Sequence, residues 1–147
     1  MDDVHLGQLL RRGFRWFDDS LRLSLEAAGW PPISSVQSLV FAHIDEDGTT
    51  TTELARRIGV TRQAVQQVVA GLVDADLLEL VPDPDDRRAR LVRLTEAGRR
   101  NVDAALRVFT LLEDELSRRI GSKAVADLRS ALSAVWGDPL VAPPPTA

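Results

Sequence analysis

The sequence has 147 residues, of which 44% are hydrophobic and 27% are charged, with a formal net charge of −4. This length and apolar fraction predict one compact domain with a buried core rather than a disordered chain. Because the chain contains no cysteine, a disulfide scaffold, a thiolate metal cluster, a cysteine nucleophile and a thiol redox sensor are excluded. The apolar runs are too short to span a bilayer and the N-terminus does not resemble a signal peptide, so we expect a cytoplasmic protein without a membrane partner. Taken alone, the acidic balance argues against a nucleic-acid partner.

The first two helices are predicted from apolar spacing and capping signals. Residues 4–28 place apolar side chains at three- and four-residue steps on two neighbouring stripes, so this helix needs two packing partners. The segment Gly29-Trp30-Pro31-Pro32 ends the helix, because proline cannot continue it. A second helix begins after Ser34, whose spacing to Gln37 is that of a capping box, and is predicted to continue to Asp45.

A helix-turn-helix is predicted over residues 51–70. Thr50 and Glu53 have the spacing of another capping box, and the short helix that follows ends at Gly59, which gives the backbone freedom for a tight turn. Thr61 is the predicted cap of the second helix, which continues to about Asp76. The inner face of this second helix is predicted to consist of Val65, Val68 and Leu72.

The outer face of that second helix has the composition of a base-reading surface. Arg62 lies at its start, and the outward positions carry no acidic residue before Asp74. Glutamine pairs with the N6 and N7 edge of adenine in the major groove, and arginine pairs with the edge of guanine. The alternative interpretation is a helical pair whose glutamines simply face water. The three outward glutamines are Gln63, Gln66 and Gln67.

A β-hairpin is predicted next, with strands at 77–81 and 90–94 around a turn-rich charged loop at 82–89. The loop brings together Arg87, Arg88 and Arg90. A charge run is usually a solvated surface, and these arginines can pair with the acids of the same loop. An arginine-tipped hairpin also suits a minor groove, where the potential is strongly negative. A hairpin directly after a helix-turn-helix is the order of a winged helix-turn-helix, so the combination favours DNA.

The rest of the chain is predicted to be helical. Thr95 is a suitable cap for a long helix to about Arg119, which again carries two apolar stripes. Gly121 and Ser122 interrupt the chain before a final helix. The proline-rich segment 138–147 is predicted to be a disordered tail.

The segment from Thr50 to Gly98 resembles the DNA-binding lobe of the MarR (multiple antibiotic resistance regulator) family of bacterial transcription factors. The run Asp86-Arg87-Arg88 followed by Leu94-Thr95-x-x-Gly98 is the most specific part of this resemblance. The other residues that carry it are Glu53-Leu54-Ala55, Gly59-Val60-Thr61-Arg62, Asp83-Pro84-Asp85 and Ala89-Arg90. The flanking helices match in order and length, so the resemblance covers nearly the whole chain. It implies a homodimer in which the first and last helices of each subunit interleave, which would explain the second apolar stripes.

The implied fold class is mainly α with a small β-hairpin wing, a winged helix-turn-helix flanked by N- and C-terminal dimerisation helices. The corresponding segments are an N-terminal dimerisation helix in 1–32, a DNA-binding lobe in 33–98, C-terminal dimerisation helices in 99–137 and the tail in 138–147.

The resemblance also implies roles for single residues. Arg88 matches the wing arginine that enters the minor groove, and Asp86 matches the acid that orients it. Arg90 matches a basic wing position near the backbone, and Arg87 is included in the predicted DNA-binding set. The recognition-helix positions used for phosphate and base contacts are occupied by Thr61, Arg62, Gln63, Gln66 and Gln67.

Many relatives release DNA when a small aromatic or phenolic anion binds between the two lobes, among the first, second and fifth helices. The matching candidates in this chain are Arg12 or Arg15 as the anion partner and Trp16, Phe17, Trp30, Phe41 and His43 as lining residues. The alternative interpretation is that the aromatic residues belong to the core and that His43 is a packed or capping histidine.

Together these observations predict a ligand-responsive repressor that binds double-stranded DNA sequence-specifically as a homodimer. Its operator is expected to be a near-palindrome with half-sites about one helical turn, roughly 34–36 Å, apart. The net charge does not oppose this, since residues 53–100 hold nine arginines against eight acidic residues. The alternative function is a winged-helix dimer that serves as a protein-interaction module without binding DNA.

An enzyme is not expected from this sequence. It contains two histidines, His5 and His43, which form no plausible cluster with acids, and it has no glycine-rich phosphate loop. The consecutive carboxylates at 113–115 splay around a helix and cannot share one site. No metal site and no cofactor are predicted.

Overall fold

The computed structural model describes residues 4–31 and 33–141, and the chain divides into two compact units between Leu112 and Glu113. The predicted fold class is confirmed: the first unit is mainly helical with a small antiparallel sheet. Residues 1–3, Pro32 and the last six residues of the predicted tail lie outside the described residues. No helix within the described ranges is long and apolar enough to cross a bilayer.

Helix α1 (Leu6–Ala27) and helix α2 (Ser35–Ala42) occupy the two predicted N-terminal segments. The capping box of α2 has both predicted bonds: the Gln37 N–H donates to the Ser34 hydroxyl, and the Ser34 N–H donates to the Gln37 side-chain oxygen. The expected extension of α2 to Asp45 is wrong. The helix ends at Ala42, and the ring Nδ1 of its C-cap residue His43 lies 2.7 Å from the Leu39 carbonyl oxygen.

Helices α3 (Thr51–Ile58) and α4 (Arg62–Asp74) form the helix-turn-helix, joined through Gly59 in the left-handed conformation at φ 76°. Val65, Leu72 and Val69 are the buried residues of α4. The predicted inner position Val68 is only half-buried and packs against the apolar core from its edge, whereas Val69 is buried within that core. Helix α4 ends two residues before the predicted boundary, at Asp74, and Asp76 adopts a φ of 57°.

The sheet has three strands in the order β1 (Thr49–Thr50), β3 (Arg90–Leu94) and β2 (Leu78–Pro82), all antiparallel. Strands β2 and β3 are the predicted hairpin, with Leu78 paired to Leu94 and Pro82 to Arg90. Strand β1 was not predicted, because two residues are too short to show an alternating pattern.

Two apolar clusters stabilise the first unit. The first joins α2, α3, α4 and the sheet through buried residues that include Val40, Leu54, Val65, Leu72 and Val92. The second packs α1 on helix α5 (Glu96–Ile120) through Leu21, Leu25 and Ala104. These clusters bury part of the apolar residues of α1 and of α5.

A set of large apolar side chains on the same two helices is exposed, and it does not coincide with one predicted stripe: Leu6 and Phe14 belong to the predicted stripe that also holds the buried Leu21 and Leu25. On α1 this set includes Leu6, Phe14 and Leu23, and on α5 it includes Leu106 and Leu111. The second unit contains helix α6 (Ser122–Ser133), on which Leu128 and Leu132 are also exposed.

Candidate nucleic-acid interface

The outer face of α4 is fully accessible. Thr61 caps the helix, with its hydroxyl accepting a hydrogen bond from the Ala64 N–H at 3.2 Å. The predicted recognition residues Thr61, Arg62, Gln63, Gln66 and Gln67 are all exposed. Because the apolar stripe of α4 is buried in the first cluster, packing fixes the direction in which these polar side chains project.

The wing loop, residues 83–89 between β2 and β3, is folded by its own aspartates. The Asp83 carboxylate accepts the Asp85 N–H at 2.9 Å, and the Asp86 carboxylate accepts the Arg88 N–H at 2.9 Å. The Asp86 carbonyl oxygen also accepts the Ala89 N–H at 2.9 Å. Such bonds from aspartate to nearby backbone N–H groups define tight turns.

The wing arginines Arg87, Arg88 and Arg90 are exposed. Within the described part of the chain, no carboxylate lies within ion-pair distance of any of them. The loop acids therefore fold the backbone instead of neutralising the guanidinium groups. The Asp86 carboxylate binds the backbone N–H of Arg88 and not its guanidinium group. Asp86 therefore fixes the backbone at Arg88 and leaves the side-chain charge unpaired.

A groove of about 460 Å³ separates α4 from the wing. Arg62 lines it from the start of α4, and Arg88 and Arg90 line it from the wing. Asp74 is the acidic residue among those that line it, and Leu80 of β2 contributes apolar surface. The sequence pattern did not assign Asp74 or Leu80 to the interface, because their position depends on how the sheet folds back against α4.

An ion-pair network holds the first helix of the helix-turn-helix in place. The Arg57 guanidinium donates to both carboxylate oxygens of Asp45, at 2.9 and 2.8 Å, and to Glu53 at 2.8 Å. It also donates to the His43 carbonyl oxygen at 2.9 Å. The network therefore ties α3 to the chain that follows α2. This network was not predicted from the sequence, because two of the partners of Arg57 lie 12 and 14 residues away from it.

The same network shifts the ionisation of its acids. Hydrogen bonds from Arg56 and Arg57 lower the pKa of Glu53 to about 2. The hydrogen bond from Arg57 likewise holds the pKa of Asp45 below its ordinary value. The predicted Thr50–Glu53 capping box is only half formed. The Thr50 hydroxyl accepts the Glu53 N–H as predicted, but the predicted bond from the Thr50 N–H to the Glu53 carboxylate is wrong, because this carboxylate binds Arg56 and Arg57.

The predicted ligand residues occupy several places in the first unit. Trp16 and Phe17 meet edge to face with ring centroids 4.9 Å apart, and Phe17 also lies 6.4 Å from Phe109. Trp30 packs against the second apolar cluster, whereas Phe41 belongs to the first. The remaining candidates are His43 at the C-terminal end of α2 and the exposed residues Arg12 and Arg15 of α1. A shared anion cleft among them stays a prediction.

The sequence model of the MarR family matches residues 32–89. The apo form of wild-type MarR from Escherichia coli aligns with a TM-score of 0.73 at 26% identity, over 89% of this chain and 96% of that chain. The chain therefore resembles the MarR family in sequence over residues 32–89 and in fold over most of its length. Its winged helix-turn-helix and flanking helices are thus the MarR architecture.

Two relatives illustrate the level of sequence similarity. An uncharacterised protein of Mycobacterium tuberculosis is 36% identical over 89 residues, which cover 60% of this chain and 62% of that protein. The HTH-type transcriptional repressor NicR of Pseudomonas putida is 28% identical over 102 residues, which cover 69% of this chain and 63% of that protein. The matched segment thus spans a little over three-fifths of each relative.

Proposed function

We propose that this protein is a homodimeric transcriptional regulator that binds double-stranded DNA, with α4 in the major groove and the wing in an adjacent minor groove. The observation that carries the proposal is the unpaired set of wing arginines, held beside a recognition helix whose exposed face bears glutamines. Arginine suits the narrow, strongly negative minor groove, and glutamine suits the edge of adenine in the major groove. The similarity to the MarR family over residues 32–89 and to the fold of MarR from Escherichia coli supports the same assignment.

The homodimer is supported by the exposed apolar residues of α1 and α5. Burying such exposed apolar side chains against a second copy of the chain would be favourable. Each Å² of apolar surface removed from water contributes about 25 cal/mol of free energy. A second copy of the chain would place two recognition helices about one helical turn, roughly 34–36 Å, apart. The operator is therefore expected to be a near-palindrome.

Repression, relieved by a small aromatic or phenolic anion, is the regulatory mode that we propose. NicR, the relative from Pseudomonas putida, is described as a transcriptional repressor. Trp16 and Phe17, which are in contact, are the first residues to test for such an anion, with Arg12 or Arg15 as the charge partner.

The proposal is tested by replacing one wing arginine. We expect Arg88→Ala to weaken operator binding by at least about tenfold and to lower the slope of log K against log salt by about 0.9, because one phosphate-facing charge is lost. The matched control is Arg22→Ala, which removes the same charge from an exposed α1 residue paired with Glu26. Fluorescence anisotropy at several salt concentrations gives both quantities.

Two outcomes would contradict the proposal. If Arg88→Ala and Arg22→Ala bind the operator as tightly as the unaltered chain, the wing does not contact DNA. If the chain dimerises in sedimentation experiments but binds no duplex, the protein-interaction module is the better description.

A further inference from the structure

The three exposed glutamines of α4 do not face the same way. Arg62, Gln66, Ala70 and Asp74 follow one another at four-residue steps and line the groove between α4 and the wing. Gln63 and Gln67 are equally exposed but do not line this groove. The recognition helix therefore has two polar stripes, a wing-facing stripe through Gln66 and a free stripe through Gln63 and Gln67.

The geometry of a duplex decides what occupies the groove. A major groove and the neighbouring minor groove are separated by one sugar–phosphate strand. If α4 lies in the first and the wing in the second, as the proposed function requires, that strand must pass between them. The groove of about 460 Å³ is the space that the structure provides there.

The charges around the groove match a phosphate strand. Arg62 stands at the N-terminal end of the α4 stripe, and Arg88 and Arg90 stand on the opposite wall. The N-terminal end of a helix also attracts anions through its free N–H groups and its dipole. Asp74 lies at the other end of the stripe, where its carboxylate repels phosphate. The strand is therefore held at the end of the groove nearest the start of α4.

We infer that the groove holds one sugar–phosphate strand, that Gln66 binds a phosphate there, and that Gln63 and Gln67 read base edges. This inference rests on the proposed function and assigns the three glutamines within it. Glutamine recognises adenine through N6 and N7. Because Gln63 and Gln67 are one helical turn apart, about 6 Å along the axis, the two adenines lie one or two base-pair steps apart in each half-site.

The same substitution at three positions of one helix tests this assignment. Gln63→Ala, Gln66→Ala and Gln67→Ala all alter exposed side chains, so each variant serves as a control for the others. Affinity is measured by anisotropy for the operator and for a duplex of random sequence, both about 20 base pairs long, with thermal unfolding to check the fold.

The expected results separate the two stripes. Gln66→Ala should weaken binding to the operator and to random DNA by the same factor, about tenfold, because phosphate contacts carry no sequence information. Gln63→Ala and Gln67→Ala should weaken operator binding by about 5- to 150-fold and leave random DNA nearly unchanged. Replacing the contacted adenine by 7-deazaadenine in both half-sites should reduce the effect of Gln63→Ala or Gln67→Ala, because N7 is lost and N6 remains, and a methylphosphonate linkage in both half-sites should reduce the effect of Gln66→Ala.

Other results would overturn the assignment. If Gln66→Ala relaxes specificity at one base pair, or if Gln63→Ala and Gln67→Ala reduce both affinities equally, the stripes are wrongly assigned although the protein binds DNA. If the unaltered chain binds neither duplex, the proposed function fails, and the assignment fails with it.

Discussion

Gly98 lies at the point where α5 begins against the sheet, and replacing it by alanine should destabilise the protein. A Cβ at this position would lie 2.0 Å from the Leu77 carbonyl oxygen and 3.3 Å from Leu94 Cδ2. The Leu77 oxygen is not free to move, because it accepts the Thr95 N–H at 3.2 Å. The Gly98 N–H is held as well, since it donates to the Thr95 hydroxyl at 2.9 Å.

The size of the effect follows from two opposing contributions. In an open helical position, glycine to alanine stabilises a helix by about 1 kcal/mol. Here the added carbon must move at least about 1 Å from the Leu77 oxygen to reach an ordinary contact, and such overpacking costs about 1–3 kcal/mol. Because both hydrogen-bonded segments would have to separate, we expect the cost to exceed the gain and the free energy of unfolding to fall by up to about 2 kcal/mol.

Urea unfolding followed by circular dichroism measures this change, at one fixed protein concentration because dimerisation affects apparent stability. Gly71→Ala is the matched control, since Gly71 lies inside α4 with no atom within 4 Å of its added Cβ. We expect this control to be more stable than the unaltered chain by about 0.5–1 kcal/mol. A Gly98→Ala variant that is as stable as the Gly71→Ala variant would refute the reasoning.

Two further predictions concern polar groups. The pKa of Glu53 falls from an ordinary 4.5 to about 2 on folding, so its contribution is present above pH 4.5 and lost as the pH falls toward 2. Glu53→Gln should therefore reduce the loss of urea resistance between pH 5 and pH 3, and an unchanged pH profile would contradict the role of the network. Asn101 is fully buried, and its amide has no hydrogen-bond partner among the residues that the structure describes. Asn101→Leu should raise the free energy of unfolding by about 1–3 kcal/mol, and a lower melting temperature would show that the amide has a role in folding.

The sequence predicted those parts of the fold that depend on neighbouring residues. The Ser34–Gln37 capping box, the left-handed turn at Gly59 and the hairpin around the wing loop all follow from short-range chemistry. The excess of apolar residues on α1 and α5 was also visible in the sequence, but the sequence did not show which of them are covered: Phe14 is exposed although it shares a predicted stripe with the buried Leu21 and Leu25.

The remaining features depend on residues that are distant in sequence. Strand β1 exists because Thr49 and Thr50 reach β3, more than 40 positions later. Arg57 finds Asp45 and the His43 carbonyl only after the chain has turned at the end of α2. Such pairings follow from the packed arrangement of the elements and carry no local pattern.

The candidate interface shows the same division. The sequence identified Arg88 and the glutamines by residue type and position, but it did not distinguish Gln66 from Gln67. These two are adjacent in sequence, and only the position of the wing beside α4 gives one of them a place on the groove. The sequence also did not show whether the wing arginines pair with the acids of the same loop. Asp83 and Asp86 accept backbone N–H groups and leave the arginines without ion pairs within the described residues, and no local pattern predicts this.

The central claim, that this chain is a dimer that reads duplex DNA, is tested most directly by selecting bound sequences from a random duplex pool. The account predicts enrichment of a near-palindrome whose half-sites are about one helical turn apart, with adenines at the positions read by Gln63 and Gln67 in each half. A pool that remains random after repeated selection, or that yields a single site without symmetry, would contradict it.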